Sequence, residues 1–288
     1  MLAEKILAVL LCASVLLVSQ HERAWLRMLS VASAGQVELK PGQVFRDRLK
    51  SGADGPEMVV TPAGKFRMGD IQDTGRKSEQ PVHEVYIGKH FAMSRYEVTF
   101  EQYDEFAKAT GRKLPNDRGW GRGSWPVIYV SWEDARNYAA WLSEQTGKRY
   151  HLPSEAEWEY GARGGTETAY WWDNDFLNGM ANCAECGSRW DFEQAAPAGS
   201  FKPNPFGLYD TAGNVWEWVE DCWHENYIGA PGDGTAWGKE DGGNCARRVI
   251  RGGSYTRERD FLRSSYRWNS EDVGRHHGMG FRLVRELE

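Results

Sequence analysis

Cysteines, arginines and glutamates are the residues of this chain whose types and spacing could do chemistry. Cys183-Ala184-Glu185-Cys186 is a lone C-x-x-C. A structural zinc site takes four ligands, commonly two such pairs or added histidines, and none lies close by in the sequence. Redox pairs of the thioredoxin kind sit at a strand-to-helix turn. Gly179 and Gly187 flank this pair and predict a loop instead. A disulfide or plain packing comes first for it, a metal second and redox catalysis third. Cys222 and Cys245 bracket a glycine-rich stretch with little apolar content to hold it. Four cysteines allow three pairings, and the expectation is a bridge between Cys222 and Cys245.

Seven arginines crowd into the 21 residues from Arg247 to Arg267. Of these, Arg257, Arg259 and Arg263 are candidates to line a cleft and hold a carboxylate or phosphate through paired hydrogen bonds. The competing reading pairs most of the run with Glu258, Asp260 and Glu271, or leaves it simply solvated. Ser254, in Gly252-Gly253-Ser254, has no evident histidine base, and the glycines lack the order of a phosphate loop or a nucleophile elbow. Glu155, Glu157 and Glu159 share one short predicted helix. Neighbours two apart diverge on a helix, so the three do not converge on one bond. His276-His277 is expected in a solvated loop. Trp216, Trp218, Trp223, Trp237 and Trp268 are expected to be core or loop-anchoring rings.

These groups need a scaffold, and the pattern of the chain predicts one. Met58 to Val60 and Phe66 to Met68 read as strands, and His83 to Ile87 with His90 to Tyr96 as a pair joined at Gly88. Three helices are announced by caps. Thr99-Phe100-Glu101-Gln102 fits a capping box, with Phe100, Tyr103, Phe106 and Ala107 on one face and Gly111 as the stop. Ser131-Trp132-Glu133-Asp134 opens the second, with Ala135, Tyr138, Ala139 and Leu142 inward and Gly147 at its end. Ser154-Glu155-Ala156-Glu157 opens the third. Past Gly164 the chain turns Gly-, Trp- and Asn-rich. Only Trp216 to Val219, Arg248 to Arg251 and Gly280 to Val284 read as strands there. The class predicted is α+β.

Composition bounds the function. The chain has 288 residues, 41% hydrophobic, enough for a sizeable core. A formal net charge of -6 argues against nucleic acid as a default partner. Residues 1–19 carry one lysine, Lys5, ahead of an apolar run from Ile6 to Val18. They read as a signal peptide or N-terminal membrane anchor. Residues 20–55 are polar and aperiodic and read as a tether. The folded unit is expected over 56–288. An even cysteine count outside the leader fits an exported, periplasmic or periplasm-facing product.

Four stretches and a closing triplet carry more than periodicity does. They are Tyr150-His151-Leu152-Pro153-Ser154-Glu155-Ala156-Glu157-Trp158-Glu159-Tyr160, Asn204-Pro205-Phe206-Gly207-Leu208-Tyr209-Asp210, Gly213-Asn214-Val215-Trp216-Glu217-Trp218, Arg248-Val249-Ile250-Arg251-Gly252-Gly253-Ser254-Tyr255 and Gly280-Phe281-Arg282. This succession resembles the formylglycine-generating enzyme family, also called sulfatase-modifying factors, over roughly residues 58–287. The resemblance implies a variant of the C-type lectin fold, rich in irregular loops.

Formylglycine-generating members hold copper through two cysteines shortly after the Gly-Gly-Ser-Tyr motif. By position Arg257 and Leu262 stand there, and no cysteine follows Cys245. Copper(I) wants soft thiolates, so copper is not expected. Relatives of the ergothioneine sulfoxide synthase type bind iron on an added helical domain for which this chain has no room. Calcium is the expected ion. The resemblance implies a site with Glu217 and the backbone oxygens of Ala212, Gly213 and Val215. A second maps loosely onto Asn182, Cys183 and Asp191, with Glu193 nearby. Calcium takes six to eight oxygens in adaptable geometry. The alternative for Glu217 is a pair with an arginine in a tryptophan-lined core. Ser254, Tyr255, Arg257, Arg259 and Arg263 form the expected cleft.

The function this implies is maturation of a protein or peptide-derived substrate by a catalytically divergent or accessory member. That is the role associated with exported relatives that mature pyoverdine-type siderophores. The alternatives are a lectin-like module that binds a peptide, glycan or partner protein, and an oxidase acting on a sulfatase cysteine.

Overall fold

Met58, Val59 and Val60 are apolar on both faces of their strand, and such a run needs cover on both sides. The structure, a computed structural model, describes residues 39–287 and supplies that cover. The leader, Cys12 and the first part of the expected tether lie outside the described residues. Eleven strands follow one another: β1 (Val44–Phe45), β2 (Met58–Thr61), β3 (Gly64–Met68), β4 (His83–Ile87), β5 (Phe91–Ser94), β6 (Tyr150–His151), β7 (Trp216–Trp223), β8 (Asn244–Arg251), β9 (Arg267–Glu271), β10 (Met279–Phe281) and β11 (Val284–Glu286). The helices are α1 (Phe100–Ala109), α2 (Trp132–Thr146) and α3 (Glu155–Arg163).

One sheet has the order β1-β2-β5-β11-β6 and a second β10-β7-β8-β9, while β3 and β4 form a ribbon. Only β10 and β7 pair in parallel. Few helices, short strands and much irregular chain make this an α+β domain, as expected.

The helix starts fall where the caps place them. Thr99, Ser131 and Ser154 each accept from the amide three residues on, while Gln102, Asp134 and Glu157 close the box in return. Gly147 and Gly164 end α2 and α3 in the left-handed conformation. The inward faces of α1 and α2 meet around Tyr103, Phe106 and Tyr138, with Tyr103 stacked on Tyr138 at 5.9 Å and Phe106 edge-on to it at 5.6 Å. Trp218 and Phe281 from the second sheet complete this core.

Three expectations need correcting. β4 and β5 do not form a hairpin at Gly88. β4 pairs with β3, and β5 pairs with β2 and β11 in another sheet. The tether ends earlier than residue 55, because Val44 and Phe45 pair with Val59 and Met58 and Leu49 is buried. The arginine run is not paired with Glu258, Asp260 and Glu271. Arg251 reaches Glu159 and Glu155, Arg267 grips Glu155 at 2.7 Å and 2.8 Å, and Arg263 holds Glu79. Arg251 and Arg267 meet Glu155 and Glu159 on one side of α3, where positions i and i+4 coincide. Glu157 points elsewhere.

Candidate functional site

The loop after β8 passes through Gly252 and Gly253, at φ +92° and +78°. A side-chain carbon on Gly253 would sit 2.7 Å from Leu262 and 2.9 Å from the Phe261 carbonyl oxygen, so only glycine lets the two loop arms close. The closed loop presents Ser254, Thr256 and Arg257 to a cavity of about 220 Å³, completed by Trp268, His276 and His277. Trp216 and Ile250 also line it.

The pocket is rich in donors. Ser254 and Thr256 share a hydroxyl–hydroxyl hydrogen bond of 3.1 Å. The Tyr255 hydroxyl meets Nδ1 of His277. Burial pushes the Tyr255 phenol up to about 12, so it keeps its proton and can donate it to that nitrogen. Burial, then the Arg118, His276 and Arg257 charges, lowers the His277 pKa and favours the neutral ring. A neutral ring accepting at Nδ1 carries its proton on Nε2. His277 and Arg257 are thus donors, suited to an oxygen-rich group, and the Trp268 ring beside them is 41% exposed.

Of the five expected cleft residues, Ser254 and Arg257 line the pocket, and Tyr255 is buried behind it, holding His277. Arg259 is turned away, donating to the Asn178 side chain and the Glu185 carbonyl. Arg263 is buried and held by Glu79, with Asp70 beside it at 3.4 Å. Leu262 lies in an apolar cluster with Ala212, Cys183 and Cys186. Both cysteine pairs are bridged, Cys183 to Cys186 and Cys222 to Cys245. His276 and His277, expected in a solvated loop, and Trp268, expected as a core or loop-anchoring ring, line the pocket instead.

A second feature is fully buried. Glu97, Asp210 and Glu217 lie near the single guanidinium of Arg282. Both Glu217 oxygens are engaged: Oε1 accepts from Arg282 at 2.7 Å, and Oε2 accepts from Arg282 at 2.6 Å and from the Trp158 indole at 2.7 Å. Glu97 accepts from the Asn214 side chain at 2.9 Å and the Val215 amide at 3.3 Å. Asp210 accepts one bond, from the Gly199 amide at 2.6 Å, and its Oδ1 is buried with no partner. Burial, then the Asp210 and Glu217 charges, pushes Glu97 well above the usual carboxylate range. Burial pushes Asp210 up to about 6.

Residues 44–287 match the family model of the sulfatase-modifying factor enzyme 1-like domain. The chain belongs to this family. A formylglycine-generating enzyme of Streptomyces coelicolor is 32% identical over 79% of this chain and 86% of its own. An inactive C-alpha-formylglycine-generating enzyme 2 of Bos taurus is 34% identical over 67% of this chain and 76% of its own. Among solved structures, PvdO from Pseudomonas aeruginosa superposes with a TM-score of 0.76 at 41% identity, over 86% of this chain and 99% of that one. Active and inactive relatives both share the sulfatase-modifying factor fold, so activity turns on the site.

Of the residues expected to hold calcium, Glu217 is taken by Arg282 and Trp158 on both oxygens, and the free acceptor in this cluster is the orphaned Oδ1 of Asp210. Among the described residues no three His, Cys, Asp or Glu side chains form a metal cluster, so a calcium ion would draw on carbonyls such as those of Gly213 and Val215. At the second expected site Asp191 Oδ1 is buried without a partner, its Oδ2 accepts from the Gly187 amide, and Glu193 is exposed. The two loops touch, since the Asn214 amide donates to the Asn182 carbonyl at 2.8 Å.

Proposed function

We propose that this exported sulfatase-modifying-factor protein serves maturation of a protein or peptide-derived substrate without thiolate–copper chemistry. It is a catalytically divergent or accessory member that holds the substrate in the Arg257–His277 pocket. The observation that carries this is the pair of side chains at the copper-cysteine positions. Arg257 stands at the pocket and Leu262 is sealed in an apolar cluster. All four cysteines among the described residues are tied in disulfides, which leaves no thiolate pair. Two such bridges also support an oxidising compartment.

In this reading Arg257 and the Nε2–H of His277 anchor a carboxylate or carbonyl oxygen. The exposed Trp268 ring supports a planar or apolar neighbour. A pocket rich in donors favours binding and positioning, which keeps the non-catalytic binding module as the second reading.

The test is direct. Purified protein incubated with copper, oxygen and a Cys-x-Pro-x-Arg peptide is expected to leave the cysteine unchanged by mass spectrometry. Formylglycine at a rate above the protein-free control overturns the proposal.

We also propose structural calcium at Asp210 and Asp191, where it would neutralise buried carboxylates and pin the 182–194 and 210–217 loops. Calcium at a hundredfold its dissociation constant is expected to add about 2.7 kcal/mol, or roughly 5–10 °C in Tm. Asp210→Asn should remove part of that gain. A Tm identical in calcium and in chelator counts against both sites.

A further inference from the structure

A second cavity, of about 600 Å³, lies in another part of the fold and shares no lining residue with the Arg257 pocket. It opens between α2, the β4–β5 turn and the 233–236 loop, with β6 at its base. Its wall is partly apolar, with Ala139, Ala140, Leu152 and Ala236. Its charges are layered. Arg136 and Arg149 are 55% and 77% exposed and stand at the mouth, where Arg136 lies 3.5 Å from Glu220 and Arg149 lies 3.1 Å from Glu286.

Deeper in are two carboxylates and a histidine. Glu157 accepts the Ser154 amide at 2.8 Å as the capping residue of α3 and makes no ion pair among the described residues. Burial raises its pKa, opposed chiefly by the His151 ring, and burial likewise raises Glu220 against Arg136 and Arg248. His151 meets the Leu152 carbonyl at 2.8 Å through Nδ1. A carbonyl only accepts, so that nitrogen carries the proton, and Nε2 faces the Glu286 carboxylate at 3.7 Å.

We propose that this cavity binds an alkylammonium group, with Glu157 and Glu220 as its acceptors and the alanine-lined wall against its aliphatic stem. An ammonium head carries three donors and no acceptor, which suits a pair of carboxylates. Carboxylates held off the water by burial gain most from a charged partner. Lys89, Arg136 and Arg149 also line the cavity; Arg136 pairs with Glu220 and Arg149 with Glu286, which leaves Glu157 as the carboxylate open to a new cation. The group is supplied either by a free amine or by a lysine side chain of a protein.

The experiment is calorimetric titration of the full chain with pentylamine, with Nα-acetyl-lysine-methylamide and with the uncharged Nα-acetyl-norleucine-methylamide. Saturable binding of at least one amine is expected, with the norleucine compound inert. Pentylamine alone assigns a free amine, and the capped lysine assigns a protein side chain. Glu157→Gln should weaken binding at least tenfold. Glutamine at this position keeps the capping box, so the helix start survives. Glu220→Gln is the second variant, and unchanged Tm values show that both fold. Equal binding of the norleucine compound, no binding of either amine, or full affinity in both variants overturns the proposal. None of these outcomes bears on the Arg257 pocket.

Discussion

Replacing Glu159 with alanine is expected to cost the folded state about 3–5 kcal/mol, the range for breaking a buried ion pair from one side. Glu159 is fully buried. Its Oε1 accepts from Arg163 at 2.7 Å and 2.9 Å and from the Gly69 amide at 3.0 Å, and its Oε2 accepts from Arg251. Without it, the Arg163 guanidinium remains inside uncompensated, and Arg251 is left to share Glu155 with Arg267. Arg251 keeps the Ser264, Ser265 and Tyr266 carbonyls, and Arg163 keeps that of Gly69. Those bonds satisfy N–H groups and leave the charge. Arg136→Ala, which removes a half-exposed partner of Glu220, should cost no more than about 1 kcal/mol. Urea unfolding of the two variants side by side decides the matter. A Glu159→Ala loss below that of Arg136→Ala would mean the network contributes nothing net.

The second large effect belongs to the bridge between β7 and β8. Cys222 and Cys245 are 23 residues apart, and opening that loop with a double serine variant is expected to cost about 3 kcal/mol. The loop has other anchors. The Trp237 ring stacks on His224 at 3.5 Å, and its amide donates to Asp221 at 2.8 Å. The variant should therefore fold, with faster amide exchange between residues 225 and 244. A reductant added to the variant should cost nothing beyond any effect at Cys183–Cys186. Equal stability of wild type and variant without reductant would show that the loop is held by its packing alone.

The sequence made the helices plain and left the partners obscure. Thr99, Ser131 and Ser154 announce their helices because a cap is a local bargain between residues three apart. The strands near Gly88 looked like a hairpin because alternation reveals a strand without naming its neighbour. Arg263 looked like a cleft residue from its spacing to Arg257. Its partner Glu79 is 184 positions away, and no local pattern encodes such a pair. Asp210 escaped notice because its distinction is an oxygen with nothing to bond, which appears only after packing. The glycine pair at 252–253 was legible as a motif. Its purpose, letting the loop close on Leu262, was not.

β11 lies between β5 and β6, well inside the five-stranded sheet, yet it is the last strand of the described chain. It pairs with β5 on one side and β6 on the other, so β6 has no other route into this sheet. The three strands β1, β2 and β5 can pair early, while the sheet closes onto β6 only when the latest strand of the described chain slots between them.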